Sequence, residues 1–160
     1  MITTADLFAS VENARIKVHW ADLAGRLRGC YYADKNQKII LLANSIANQE
    51  TVLRCVLAEE LGHHFTSIGV CLPVVGLSYI GRLINVDRQE AKAVRWAVNY
   101  LLPTAYFIEA THEETWQVAE RFMVTEEFVK LKQRLLRRGS YEESRVGDGA
   151  SNYADSYGMG

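Results

Sequence analysis

Val56-Leu57-Ala58-Glu59-Glu60-Leu61-Gly62-His63-His64-Phe65-Thr66 sets acidic and imidazole side chains into an otherwise apolar, helix-forming run. At about 100° per residue, Glu59, His63 and Glu60 fall at roughly 0°, 40° and 100° around a helix, while Leu53, Leu57 and Leu61 fall at roughly 120°, 160° and 200°. A polar arc therefore lies beside a packing stripe. Two carboxylates and an imidazole held against a buried surface are costly unless a cation binds them, and a metal ion satisfies both donor types.

Glu59-Glu60-Leu61-Gly62-His63 differs at one position from the H-E-x-x-H pattern, in which two helical side chains at i and i+4 bind zinc and the intervening Glu is the general base. Glu59 stands where that pattern has its first His. Carboxylate oxygens also bind zinc, so Glu59 and His63 keep the one-turn geometry of a ligand pair. A third ligand should come from another helix, and Glu90 is the best placed candidate. The expected set is Glu59, His63 and Glu90 on one divalent ion, Zn2+ by preference, with Glu60 as base.

Outward from this stretch the chain reads as one ordinary domain. It has 160 residues, 49% hydrophobic and 23% charged, with a formal net charge of -1, which gives no global reason to expect nucleic-acid or membrane binding. Cys30, Cys55 and Cys71 form no C-x-x-C pair and read as ordinary thiols of a reducing compartment. The first residues lack a basic leader and no apolar run approaches membrane-spanning length, so a cytoplasmic protein is expected.

Thr3 with Asp6 makes a capping box, and Leu7, Val11 and Ala14 follow at helical spacing. Residues 16–20, 27–33 and 38–43 alternate like strands, the last two separated by the polar turn Asp34-Lys35-Asn36-Gln37, and predict a small antiparallel sheet. Asn48 is placed to cap the helix that carries the opening motif. Residues 68–77 are apolar but rich in Gly and Pro, a connection. Asp87 is then read as the cap of a helix to Leu102, with Glu90 in its first turn, Ala91, Val94, Val98 and Leu101 facing inward, and Pro103 as its stop. Thr111 with Glu114 predicts a helix through Phe122, and Thr125 caps the next. From Gly139 the composition turns to Gly, Ser, Tyr, Asp and Glu, which predicts a disordered tail.

At this point the chain resembles the ImmA/IrrE family of zinc metallo-endopeptidases. The residues that carry the resemblance are Gly29-Cys30-Tyr31-Tyr32 leading into the 38–43 strand, Leu57 to His64, and Glu90-Ala91-Lys92-Ala93-Val94-Arg95-Trp96-Ala97 followed by Leu101-Leu102-Pro103. It spans roughly residues 5–138, and by it His63 and Glu90 match zinc ligands and Glu60 the catalytic glutamate. The resemblance implies an α+β, zincin-like domain at 1–110 with a metal-binding helix pair, a helix-turn-helix-like pair at 111–138 packed on it, and the tail at 139–160. It further implies limited proteolysis of a regulatory protein, typically a helix-turn-helix repressor of a phage or mobile element. A non-catalytic antirepressor that binds the repressor without cutting it is the alternative.

Plainer readings stand beside these. Glu-Glu followed by His is common on solvated helix faces, and Glu90 can complete a capping box with Asp87. His64 reads as a packed or hydrogen-bonded neighbour and His19 as structural. Glu109-Ala110-Thr111-His112 repeats the E-x-x-H spacing of di-iron bundles, but too much of the chain is strand-like for four long helices. Lys130, Lys132, Arg134, Arg137 and Arg138 make the last helix basic, as in a DNA-binding regulator; Glu126 and Glu127 at its start oppose phosphates and argue against direct DNA binding. Oxyanion donors could come from His112, Tyr31, Tyr32, Tyr79 or Tyr106.

Overall fold

The computed structural model describes residues 1–66 and 79–151, with side chains described for residues 1–66 and 88–138. Helix α1 (Thr4–Asn13) is followed by strands β1 (Lys17–Ala21), β2 (Gly29–Ala33) and β3 (Lys38–Ala43). Helices α2 (Glu50–Thr66), α3 (Tyr79–Leu101), α4 (Thr104–Glu109), α5 (Thr115–Phe122) and α6 (Glu126–Ser151) complete the α+β fold.

Helix α1 starts as its sequence dictates: the Asp6 amide donates to Thr3 Oγ1 at 3.1 Å and the Thr3 amide donates to Asp6 Oδ2 at 2.7 Å. Leu7 and Val11 bury its inner face. In the sheet, the Asn36 and Gln37 amides each donate to Asp34 Oδ1 at 2.8 Å, closing a tight β2–β3 hairpin. The strand order is β1-β3-β2, with β2 antiparallel to β3 but β1 parallel to it. The expected all-antiparallel sheet is therefore corrected to a mixed one. Alternation specifies which face of a strand is buried, not its partner or direction, and the segment after β1 carries the chain past β3 before β2 begins. Ile40 and Leu42 on the central strand are fully buried, and β1 and β2 are the two edges.

Helix α2 begins at Glu50, so its preceding residue is Gln49 rather than Asn48. It is buried on nearly every side, including Leu53, Val56, Leu57 and Leu61. Helix α3 begins at Tyr79, well before the expected cap at Asp87, which lies inside it. The Asp87-to-Glu90 pattern imitates a helix start, but no proline interrupts the chain between Tyr79 and Asp87 and the helix runs through. Glu90 is consequently a mid-helix residue and not part of a capping box. The expected connection at 68–77 lies outside the described residues. The buried face of α3 holds Ala93, Ala97, Val98 and Leu101, with Val94 half-buried and Ala91 exposed. Against it, Gly62 of α2 leaves no room: a Cβ there would run into the carbonyl of Ala93.

Helix α4, too short to show a period, follows Pro103 and buries Phe107. Thr111 belongs to its end, donating from Oγ1 to the Ile108 carbonyl at 2.8 Å, so α5 starts at Thr115 on a Glu114–Gln117 capping box rather than at Thr111. It ends in a Schellman motif with Met123 left-handed at φ 52°, the Val124 and Met123 amides donating to the Ala119 and Glu120 carbonyls. Helix α6 follows Thr125 directly and continues to Ser151, into the stretch where composition predicts disorder; Glu142, Glu143 and Arg145 are compatible with helix. Arg54 of α2, 2% exposed, ties these parts together, donating to the Ile2 carbonyl at 2.7 Å and the Met123 carbonyl at 2.9 Å.

Gly62→Ala tests the helix contact. Alanine favours an isolated helix by about 1 kcal/mol, but here the clash with Ala93 should win and leave a net loss of about 2 kcal/mol, the scale of overpacking in a tight core. Urea unfolding measures it; an unchanged or higher midpoint would refute the close approach.

Candidate metal centre

The close approach at Gly62 brings the polar arc of α2 opposite Glu90 of α3. His63 Nε2 lies 3.4 Å from Glu90 Oε2. His63 is 6% exposed and Glu60 7%, while Glu90 projects into solvent. All four expected residues, Glu59, Glu60, His63 and Glu90, line one cavity of about 410 Å³, together with Arg28 and Gly29.

The electrostatics of this cavity are unfavourable as it stands. Burial pushes the Glu59 carboxyl up to about 7; the charge of Glu90 adds to this and Arg28 opposes it. Glu60 is pushed up to about 8 by burial and then by Glu59 and Glu90, against a hydrogen bond from the Tyr31 backbone that pulls it down. Near neutral pH, protons therefore occupy positions that a cation could take instead.

The donor chemistry fits a divalent ion: one imidazole nitrogen and several carboxylate oxygens face a common space. The placement is incomplete. Among the described residues no group of three or more His, Cys, Asp or Glu side chains stands together at ligand spacing. His63 and Glu90 are the pair brought into contact, and Glu59 lines the cavity without closing on them.

Other expectations resolve around this site. The Tyr31 hydroxyl and His64 Nδ1 share a hydrogen bond of 2.7 Å, so His64 is the hydrogen-bonded neighbour anticipated. His19 is exposed on β1, and His112 and Glu109 are exposed near the α4–α5 connection, away from the cavity. None of His112, Tyr31, Tyr32 and Tyr106 lines it, and Tyr79 lies outside the described side chains. Cys55 is buried, its thiol pushed up to about 11, and Cys30 is half-buried; both are free, and Cys71 lies outside the described residues.

Two residues of the site, Gly29 and Arg28, were given no role there by the sequence. Gly29 opens β2 directly against Glu60: a Cβ there would come within 2.6 Å of both Glu60 Oε1 and Val56 Cγ1. A glycine at the start of an apolar strand is a readable sign of such an approach. Arg28, beside it, had no signal, because its relation to Glu59 exists only once β2 lies across α2.

The raised carboxyls predict a definite pH response. Both folded-state values lie above the ordinary 4.5, so protonation favours the fold: that contribution is complete below about 4.5 and lost as pH rises through about 7 and 8. Metal-free protein should lose melting temperature from about pH 5 to about pH 8, and added Zn2+ should restore it most at the upper end. Calorimetric melting with and without Zn2+ checks this; a zinc effect that shrinks with rising pH would contradict it.

A family model described as the IrrE N-terminal-like domain, of a peptidase family, matches residues 11–134. No match was found among curated proteins.

Proposed function

The chain belongs to the family of IrrE N-terminal-like peptidase domains, and from that membership we propose that it is a zinc-dependent endopeptidase acting on a regulatory protein. The observation that carries the proposal is the shared cavity, where Glu59, Glu60 and His63 of α2 meet Glu90 of α3 with His63 and Glu90 already 3.4 Å apart.

Glu59, His63 and Glu90 would hold the ion. When bound, it supplies Lewis-acid polarisation of a water and of the scissile carbonyl. Glu60, aimed into the same cavity, takes the proton from the attacking water and delivers it to the leaving amine. In the metal-free cavity burial and the neighbouring carboxylates leave Glu60 holding a proton near neutral pH; a bound cation would favour its ionised form, the one that can act as base. Two carboxylates in the ligand set neutralise the ion's formal charge and make it a weaker Lewis acid than one held by two histidines and a glutamate.

The substrate is proposed to bind extended along the free edge of β2. Both β1 and β2 are edges, but β2 begins at Gly29, against Glu60, so a strand added there runs past the base. The family resemblance supports a helix-turn-helix repressor of a phage or other mobile element as that substrate. Direct DNA binding is disfavoured: Lys132 is 1% exposed inside the fold, and Lys130, on the surface, pairs with Glu126 at 3.0 Å, so part of the basic run on α6 is not free to meet phosphates. The α5–α6 pair is read as a packing module. Among the described residues no helix is long and apolar enough to cross a membrane.

Metal analysis of the purified chain should give one zinc per molecule, lost in Glu59→Ala and in Glu90→Ala. Glu60→Gln should keep both fold and zinc while slowing cleavage of the repressor by about a thousandfold, the weight of a general base. Undiminished repressor loss with Glu60→Gln would overturn the enzymatic reading in favour of an antirepressor.

A further inference from the structure

A second cavity, of about 320 Å³, lies between α3, the start of α4 and α6. Among the described residues, the charged ones lining it are Arg95, Lys132 and Arg138, all cationic. Lys132 is 1% exposed, yet its ammonium meets only neutral acceptors: Nζ donates to Asn99 Oδ1 and to Thr104 Oγ1, each at 2.8 Å. An ammonium has three protons to donate, so two neutral partners leave donor capacity and the whole charge uncompensated. Among the described residues no carboxylate pairs with Lys132, Arg95 or Arg138.

A buried ammonium without a counter-ion is expensive, and cores seldom keep one unless something anionic visits it. Neutral Asn99 and Thr104 orient the head group without cancelling its charge, while the two exposed guanidiniums at the same cavity carry donor forks suited to tetrahedral oxyanions. Leu135 and Leu136 add an apolar wall, and the volume is at the lower end of small-ligand sites. We propose that this cavity binds the phosphate group of a small molecule, with Lys132 at the buried end and Arg95 and Arg138 completing the clamp. It is independent of the metal-centre reading, since it shares none of those residues.

Isothermal titration of the chelator-treated full chain with inorganic phosphate, glycerol 3-phosphate and glycerol tests it. Saturable one-to-one binding of at least one phosphate probe, with none for glycerol, is expected. Tighter binding of the ester than of the free ion identifies a monoester as the ligand, and the reverse identifies phosphate itself. Arg95→Gln with Arg138→Gln, both at exposed positions, should weaken binding about tenfold or more, the loss of charge-assisted hydrogen bonds. Lys132→Met should abolish it; because that variant can unfold for lack of its buried bonds, the arginine pair decides. No saturable phosphate binding, or binding unchanged in the double-arginine variant, would overturn the proposal.

Discussion

The fold turns on the contact between the Gly62 position of α2 and the Ala93 backbone of α3. Two helices normally stand apart by the thickness of their side chains, and here one side has none. The small residues Gly62, Ala93 and Ala97 set the separation, and that separation lets a carboxylate on one helix touch an imidazole on the other. The sheet contributes the third wall, since Gly29 lets β2 press against Glu60. Three backbones thus converge on one cavity because two glycines are where side chains would otherwise hold them apart.

That convergence carries an electrostatic cost. Glu59, half-buried, and Glu60, buried, are adjacent in sequence; burial raises the proton affinity of both, Glu90 adds to each, and Glu59 adds to Glu60. A core made only for stability would replace such a cluster with apolar side chains. Its retention, in a chain belonging to a peptidase family, is what links the packing of α2 to chemistry. The same contrast marks the second cavity, where the buried charge is positive and its neighbours are neutral.

Much of this could be read from the sequence, for definite reasons. The arc of Glu59, Glu60 and His63 follows from helical geometry alone, and the burial of the leucines beside it from their period. Glu90 as the partner was accessible too, although its supposed place in a first turn was mistaken; the helix had already begun at Tyr79. What periodicity could not reveal was relational. The direction of β1, the part Thr111 plays in closing α4, and the nearness of Arg28 to Glu59 each depend on how distant segments meet. Lys132 shows the limit most clearly: read as one of the basic residues that make the last helix look like a DNA-binding regulator's, it is almost completely buried.

Arg54 ties together segments that lie far apart in the chain. The hydrogen bonds its guanidinium donates reach back to Ile2 and Thr4 and forward to Phe122 and Met123. These closures join regions separated by 50 to 69 residues, so each requires distant parts of the chain to have met. The segment before residue 11, outside the span matched by the family model, is thereby part of the same cooperative unit as the α5–α6 turn. Arg54 works as a latch, and the helix bearing the candidate metal donors is also the one that holds the residues before α1 and the α5–α6 turn in place together.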